Sequence, residues 1–400
     1  MDGATLAHNE DLLMAGLGPL AVVVAGVVAG VMAVLHAWTL RGWSRIWRNA
    51  LSSEVGAKHR SVDWTVVIPA RNEAQHVGNV LHDLAEQEIQ VCILVVDDHS
   101  TDGTASVATS HQLAQRGQLR VLTSEGTGKK SALITGMASA STPWVVTLDA
   151  DVRLGPSWAQ SWHDRLSQVD ANTACVAGPV VLSLSPQSPS LWEGVQALDY
   201  AAQMGWSAGC LVRDLPGSAS GANMAVRVAT YPDTRNLGAS GDDTLVVQAL
   251  QRGGHRVEWL SDSRATVRTA GAASFSAWIQ QRMRWTGKAV HYDRRAKQTA
   301  WWMAWMSVAQ WILWMGACVA STSGMWGLSW GWWALVTGMN LAYARPVARW
   351  FGLQTTWVQG VVLGLTQPAH VPLILMAQAG LLRPWGIASK PTWKGRTCDP

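Results

Sequence analysis

The sequence predicts an α/β domain with a mainly parallel sheet, held to a membrane by one N-terminal helix and a C-terminal apolar region. Three observations carry this expectation. From Trp64 onward, short apolar runs alternate with amphipathic stretches, the pattern of strands joined by crossover helices. Leu12 to Leu40 is a nearly unbroken run of Ala, Val, Leu, Gly and Met, longer than the roughly 20 residues that cross a hydrocarbon core. The last third is apolar and dense in Trp, of which the chain has 25 against two Phe, and Trp favours the membrane–water interface. Hydrophobic residues make up 48% and charged residues 14%, a balance too apolar for a purely water-soluble protein.

The first run, 12–40, reads as a transmembrane anchor. Asp2, Glu10 and Asp11 precede it without any Lys or Arg, the reverse of the basic start of a cleaved signal peptide. Arg41, Arg45 and Arg48 follow it directly, so the positive-inside tendency puts the N-terminus outside and the following domain in the cytoplasm, on the inner or plasma membrane. Five scattered Cys, with no C-x-x-C pair and no His at zinc-ligand spacing, indicate neither a disulfide framework nor a zinc site and suit a reducing compartment. A net charge of +4 is too small to imply nucleic acid.

The soluble domain is expected over 64–292. Thr65–Pro69 reads as a first strand, and 73–87 as a helix with Val77, Val80, Leu81 and Leu84 on one face. Cys92–Val96 is a second strand, running into Asp97-Asp98-His99-Ser100-Thr101-Asp102-Gly103-Thr104. Val145–Leu148 is a buried strand that ends in Asp149-Ala150-Asp151. Two acids at that spacing share one side of a strand and suit a hard divalent cation, although Asp also commonly punctuates strand ends. Ligands gather at the carboxyl ends of parallel strands, so these polar clusters are candidates for one shared site. Gly126–Ser131 lacks Walker spacing, with Thr at 123 and Lys130 where Ser or Thr should follow the lysine. It reads either as a basic turn opening a helix over 131–140 or as amides and a lysine that hold a diphosphate.

The succession Val67–Glu73, Val96–Thr104, Gly128-Lys129 with Ala132-Leu133, and Asp149-Ala150-Asp151 resembles glycosyltransferase family 2, inverting enzymes with a GT-A (Rossmann-like, mainly parallel) fold. Gly221-Ala222-Asn223-Met224, Gly241-Asp242-Asp243 and Gln281-Arg282-Met283-Arg284-Trp285 extend the likeness, the last fitting the Gln-x-x-Arg-Trp motif of the membrane branch that includes polysaccharide synthases and ceramide glucosyltransferases. The resemblance implies that Pro69, Arg71, Glu73, Asp98, Lys129 and Asp149 hold a nucleotide-sugar, probed first as a UDP-sugar, and that Asp149 and Asp151 bind Mg²⁺ or Mn²⁺ on its diphosphate. Asp243 would be the general base, with Asp242 as the alternative. Gly221, Asn223 and Trp285 would meet the acceptor, and Gln281, Arg284 and Trp285 would act beside the diphosphate. Asp243 also suits an N-cap of the helix that follows, and both roles are compatible.

Residues 274–292 form an amphipathic, basic stretch of a kind that lies in the headgroup plane. Within it Gln281, Arg284 and Trp285 share a helical patch by their i, i+3, i+4 spacing. A hairpin is expected over 301–343, with Trp301–Ala320 and Trp326–Tyr343 split by Ser321–Gly324 and followed by Arg345 and Arg349 on the cytoplasmic side. The stretch 353–382, broken by Pro368 and Pro372, is spanning or re-entrant. Re-entry keeps Arg383, Lys390, Lys394 and Arg396 of a basic tail, 383–400, in the cytoplasm. Thr392–Arg396 resembles the ending of lipid-directed family members, which implies a lipid acceptor beside membrane lipids. The expected activity is transfer of one sugar from a nucleotide-sugar to a lipid hydroxyl. Alternatives are a processive polysaccharide synthase, a nucleotidyltransferase making sugar nucleotides, and a scaffold that binds nucleotide-sugar without turnover.

Overall fold

The computed structural model describes residues 62–234, 243–320 and 326–390, helical positions scattered between 26 and 44, and the paired strands Thr392–Trp393 and Arg396–Thr397. Most of the expected anchor at 12–40 lies outside the described residues, as do Gly241, Asp242 and Ser321–Gly324.

The first half alternates as the sequence suggests: β1 (Trp64–Ala70), α1 (Val77–Ala85), β2 (Cys92–Asp97), α2 (Thr104–Ser110), α3 (Gln112–Gln115), β3 (Leu119–Thr123), α4 (Lys129–Ser139) and β4 (Trp144–Leu148). Val77, Val80, Leu81 and Leu84 are all buried, as the periodicity of α1 predicts. Every residue of β1 and β4 is buried, because helices cover both faces of a parallel sheet and leave no polar side. Next come α5 (Trp158–Leu166), β5 (Thr173–Ala177), β6 (Val180–Leu182), α6 (Leu191–Leu211), β7 (Asn223–Arg227), α7 (Thr244–Arg252), β8 (Arg256–Trp259) and β9 (Val267–Thr269).

The main sheet runs β3-β2-β1-β4-β7-β5-β8. Only β7 is antiparallel to its neighbours β4 and β5; the other pairs are parallel. The chain steps outward from β1 through β2 to β3 and then returns to the other side of β1 as β4. This reversal opens a crevice at the carboxyl ends of β1 and β4, where open α/β sheets bind ligands. A parallel pair, β6 with β9, forms a second small sheet.

α6 opens with a capping box in which Ser190 and Glu193 satisfy each other's backbone amides. It packs on β6 and β8 and also against the C-terminal helices α10 (Trp326–Trp350) and α11 (Trp357–Thr366). Trp38 of the N-terminal stretch lies 6.1 Å from Trp206 of α6 and beneath the Arg213 guanidinium. α8 (Phe275–Gly287) buries Trp278, Ile279 and Met283 against Ile374 and Ala377 of α12 (His370–Gln378). The apolar side of this basic stretch therefore finds a protein partner, where the sequence reading gave it to lipid headgroups.

α9 (Arg294–Ala320) and α10 extend beyond the apolar limits 301 and 343, because a helix ends where its backbone hydrogen bonding ends and not where its apolar composition does. Trp357–Gln378, 22 residues of mean hydropathy 1.5, is long and apolar enough to cross a membrane, by length and composition. It comprises α11, a 3₁₀ turn at Gln367–Ala369 that accommodates Pro368, and α12.

Candidate active site

The loops after β1 and β2 are locked together at the crevice. Arg71 Nη1 donates to the Asp98 carbonyl at 2.8 Å and to that of His99 at 3.3 Å, and the Asp98 amide donates to the Ala70 carbonyl at 2.8 Å. Asn72 and His99 both take left-handed backbone angles, φ 51° and 54°. Such strain in non-glycine residues persists where surrounding bonds fix it. Here the Asn72 amide donates to Ser100 Oγ and the Thr101 amide to Asn72 Oδ1, each at 2.9 Å. Glu73 is buried, its amide donating to Thr104 Oγ1 at 2.8 Å. The buried Nε of Arg71 has no hydrogen-bond partner among the described residues. Pro69 lies buried at the end of β1, opposite Val96.

Asp98, 1% exposed, accepts the Gly128 amide at 2.9 Å. Gly128 has φ 95° and ψ 160°, a conformation open in practice to glycine alone, and it opens α4 at Lys129. The Gly126–Ser131 stretch leads into α4, which starts at Lys129, and Lys129 Nζ pairs with Asp149 Oδ1 at 2.7 Å.

β4 ends at Leu148, so Asp149 and Asp151 stand just beyond it rather than on it. Asp151 is open to solvent within the crevice, yet protein surrounds it closely. That partial burial, with the nearby Asp149 and Glu73 carboxylates, pushes its carboxyl up to about 6, against an opposing pull from Lys129. Crowded acids with one lysine between them suit an added cation. Among the described residues no group of three or more His, Cys, Asp or Glu side chains is close enough to hold a metal alone. The chain therefore offers two carboxylates, a donor set that fits a hard cation completed by oxygens from elsewhere. The loop after these acids is fixed to α1, since Asp83 accepts from Arg153 Nε and Nη2 at 2.7 and 2.8 Å and from the Leu154 amide at 2.9 Å.

Asp243 caps α7, accepting the Thr244 amide at 2.5 Å, and the same oxygen accepts Lys288 Nζ at 2.8 Å. Tyr200 of α6 feels the charges of both Asp149 and Asp243. Burial, together with the Asp243 and Asp149 charges, pushes its phenol up to about 12, so it remains a donor. Tyr292 is likewise pushed up to about 12 by burial and Asp243. Trp285 rests on Tyr200 at 5.8 Å between ring centroids. Arg282, the residue between Gln281 and Met283, lies 4.9 Å from the Trp285 ring and 5.2 Å from Trp278, and pairs with buried Asp199 at 2.5 Å. Gln281 and Arg284 are half-buried on α8, and Arg284 makes no ion pair among the described residues.

Asn223 requires a correction. It has no exposed surface, and its amide is saturated: Oδ1 accepts both Trp158 Nε1 and Trp162 Nε1 at 3.1 Å, while Nδ2 donates to the Pro179 and Ala265 carbonyls. It tethers the core and has nothing to offer an acceptor. Gly221 is also buried, its carbonyl accepting Thr147 Oγ1 at 2.9 Å. Tyr200, Lys288, Asp199 and Tyr292 are the site's additions. Only Lys288 carried a sequence signal, as a cation in the basic stretch.

Residues 65–192 match the model of Glycosyl transferase family 2. The 4,4'-diaponeurosporenoate glycosyltransferase of Staphylococcus aureus (strain bovine RF122 / ET3-1) is 36% identical over 94 residues, 24% of this chain and 24% of that protein. The protein of the same name from strain USA300 is 36% identical over 88 residues, 22% of this chain and 24% of that one. The chain thus matches about a quarter of the length of these relatives. A solved mannosyltransferase from Pyrobaculum calidifontis, in complex with GDP-Man and Mn²⁺, superposes with a TM-score of 0.52 at 18% identity, over 86% of this chain and 98% of that one. Residues 65–192 are thus similar to a family 2 glycosyl transferase domain, and the fold of the chain is like that of the solved mannosyltransferase.

Proposed function

We propose that this protein is a membrane-bound, metal-dependent, inverting glycosyltransferase that moves one sugar from a nucleotide-sugar, a UDP-sugar in the first instance, to a lipid hydroxyl at the cytoplasmic face. The observation that carries the proposal is the convergence of Glu73, Asp98, Lys129, Asp149 and Asp151 at the reversal point of the sheet, with Tyr200 feeling the charges of both Asp149 and Asp243. The comparisons support it: one relative is named a 4,4'-diaponeurosporenoate glycosyltransferase, and a solved mannosyltransferase of like fold is in complex with GDP-Man and Mn²⁺. Trp357–Gln378 and the exposed Trp301, Trp305, Trp330 and Trp357 support the membrane assignment.

In this reading Arg71, Glu73 and Asp98 hold the nucleoside, and Lys129 with the amides at the start of α4 meets the diphosphate. Asp149 and Asp151 would hold a Mg²⁺ or Mn²⁺ ion, which would supply positive charge to stabilise the departing diphosphate. Asp243 takes the proton of the acceptor hydroxyl from the face opposite the leaving group, which inverts the anomeric centre. Lys288 and the Thr244 amide fix its carboxylate for that task, and Trp285 and Tyr200 wall the acceptor side. Arg284 lies on α8 as a second cation for the diphosphate, with Gln281 beside it.

The test is UDP release by the purified protein in detergent with Mn²⁺ and a panel of UDP-sugars, with and without total lipid extract. Lipid-stimulated release from one donor, with a single-sugar product, is expected. Release without lipid, accompanied by a polymer ladder, would replace this reading with a polysaccharide synthase, and silence with both UDP- and GDP-sugars would refute it.

A further inference from the structure

A cavity of about 320 Å³ lies beside the crevice, at the small end of ligand pockets, and none of the donor-site acids lines it. Its walls include Arg153, Arg264 and Arg268, the hydroxyl residues Ser157 and Ser263, and Phe351 at the end of α10. Three guanidinium groups around one small cavity repel each other unless anions intervene.

The chain supplies two of these anions. Asp83 takes Arg153 side-on, as described above, and Asp262 takes Arg264 Nε and Nη2 at 3.1 and 2.8 Å. Arg268 has no carboxylate partner among the described residues. Its backbone nevertheless sets it directly against Arg153: the Arg153 amide donates to the Arg268 carbonyl at 2.8 Å and the Arg268 amide to that of Arg153 at 3.0 Å. Residues that exchange both bonds in an antiparallel bridge carry their side chains on one face, where like charges are unfavourable. The Arg268 guanidinium is thereby held over the turn that ends α10, its Nη2 lying 3.9 Å from where a Cβ on Gly352 would stand.

We propose that this cavity is an anion site, separate from the donor site, that takes a phosphate group through Arg268, with the Ser157 and Ser263 hydroxyls as further donors. Phosphate suits the fork of a guanidinium bidentately and accepts from hydroxyls with its remaining oxygens. The phosphate has two sources. One is the phosphodiester of an anionic lipid headgroup, reached because the cavity wall includes the end of α10; this source alone rests on the membrane reading above. The other is a free phosphate or a phosphorylated metabolite.

The experiment is titration calorimetry on the full chain in detergent, with dioctanoyl phosphatidylglycerol, dioctanoyl phosphatidylcholine and inorganic phosphate as separate probes. Donor-site variants are not involved, so the outcome is independent of sugar transfer. Arg268→Gln should weaken binding of the effective probe about tenfold or more, as loss of a charge-assisted pair does. Arg268→Lys should retain part of it, and Arg252→Gln, which removes an exposed cation on α7, should change nothing. Arg268-dependent binding of phosphatidylglycerol assigns the lipid source, and Arg268-dependent binding of inorganic phosphate assigns the free one. No binding of any probe, or binding that Arg268→Gln leaves unchanged, overturns the proposal.

Discussion

At the residue scale, Asp243 holds the start of α7 and, in the proposed mechanism, removes a proton. The two roles separate on substitution. Asn caps helices about as well as Asp, so Asp243→Asn keeps the bond to the Thr244 amide while removing the base. Transfer should fall by about 10²- to 10⁴-fold with donor affinity nearly unchanged, measured as UDP release and as UDP binding. Transfer retained at the wild-type rate would move the base elsewhere, Asp242 included. Asp151 gives a prediction with a definite sign. A carboxyl raised from 3.8 to about 6 binds its proton more tightly in the folded chain than in the unfolded one. The folded state therefore carries a penalty that is absent below about pH 3.8, grows as pH rises, and is complete above about pH 6. In chelator, Asp151→Asn should melt higher than wild type at pH 7.5, the gap narrowing towards pH 5, and Mn²⁺ should stabilise only the wild type. Equal melting at both pH values would argue against repulsion at this position. Asp98, Asp149 and Asp151 stand out in the sequence because each follows the end of an apolar strand in a short local motif. Tyr200 and the Asp199–Arg282 pair were not, since the pair is 83 positions apart and no local pattern joins its members.

At the scale of elements, the strands and α1 were legible from periodicity, because each buries a regular face. α6 was not read as an element: it is buried on most sides, so its Ala, Gly and Met residues make no amphipathic stripe. Glycines decide how tightly the C-terminal helices pack. A Cβ on Gly360 would stand 2.1 Å from Leu341 Cδ2, and one on Gly364 2.3 Å from Thr337 Oγ1. Gly360 and Gly364 are four apart on α11, as Thr337 and Leu341 are on α10, so the two helices approach along a small-residue seam. Gly364→Val should destabilise the protein by about 1–3 kcal/mol through overpacking, read as a lower melting temperature in detergent. An unchanged melting temperature would mean that the seam opens without cost. Activity should fall with it, because α10 and α11 support α6, which carries Tyr200.

At the scale of the whole molecule, the sequence divides the chain at 292 into a soluble domain and a membrane part, and the packing does not respect that division. Tyr343, Ala344, Val347, Ala348 and Phe351 of the α10 end, with Leu353 and Leu363 beyond it, are buried in the same core as β1 and β4. The Tyr343 hydroxyl donates to the Ala202 carbonyl of α6 at 2.8 Å. Composition missed this because the C-terminal half of α10 is apolar for a reason other than lipid: it completes the core around the main sheet. Cutting at 292 would expose the faces of α6 that α10 and α11 cover and leave α8 without α12. Each buried aliphatic side chain so exposed loses about 1.5–3 kcal/mol, so a handful exceeds the usual 5–15 kcal/mol stability of a domain. Residues 62–292 expressed alone should therefore aggregate or melt without cooperativity, whereas the full chain in detergent should melt in one transition that a UDP-sugar with Mn²⁺ raises. A monodisperse 62–292 fragment that binds UDP with the affinity of the full chain would show the opposite: that the α/β domain folds alone and the C-terminal helices only dock on it.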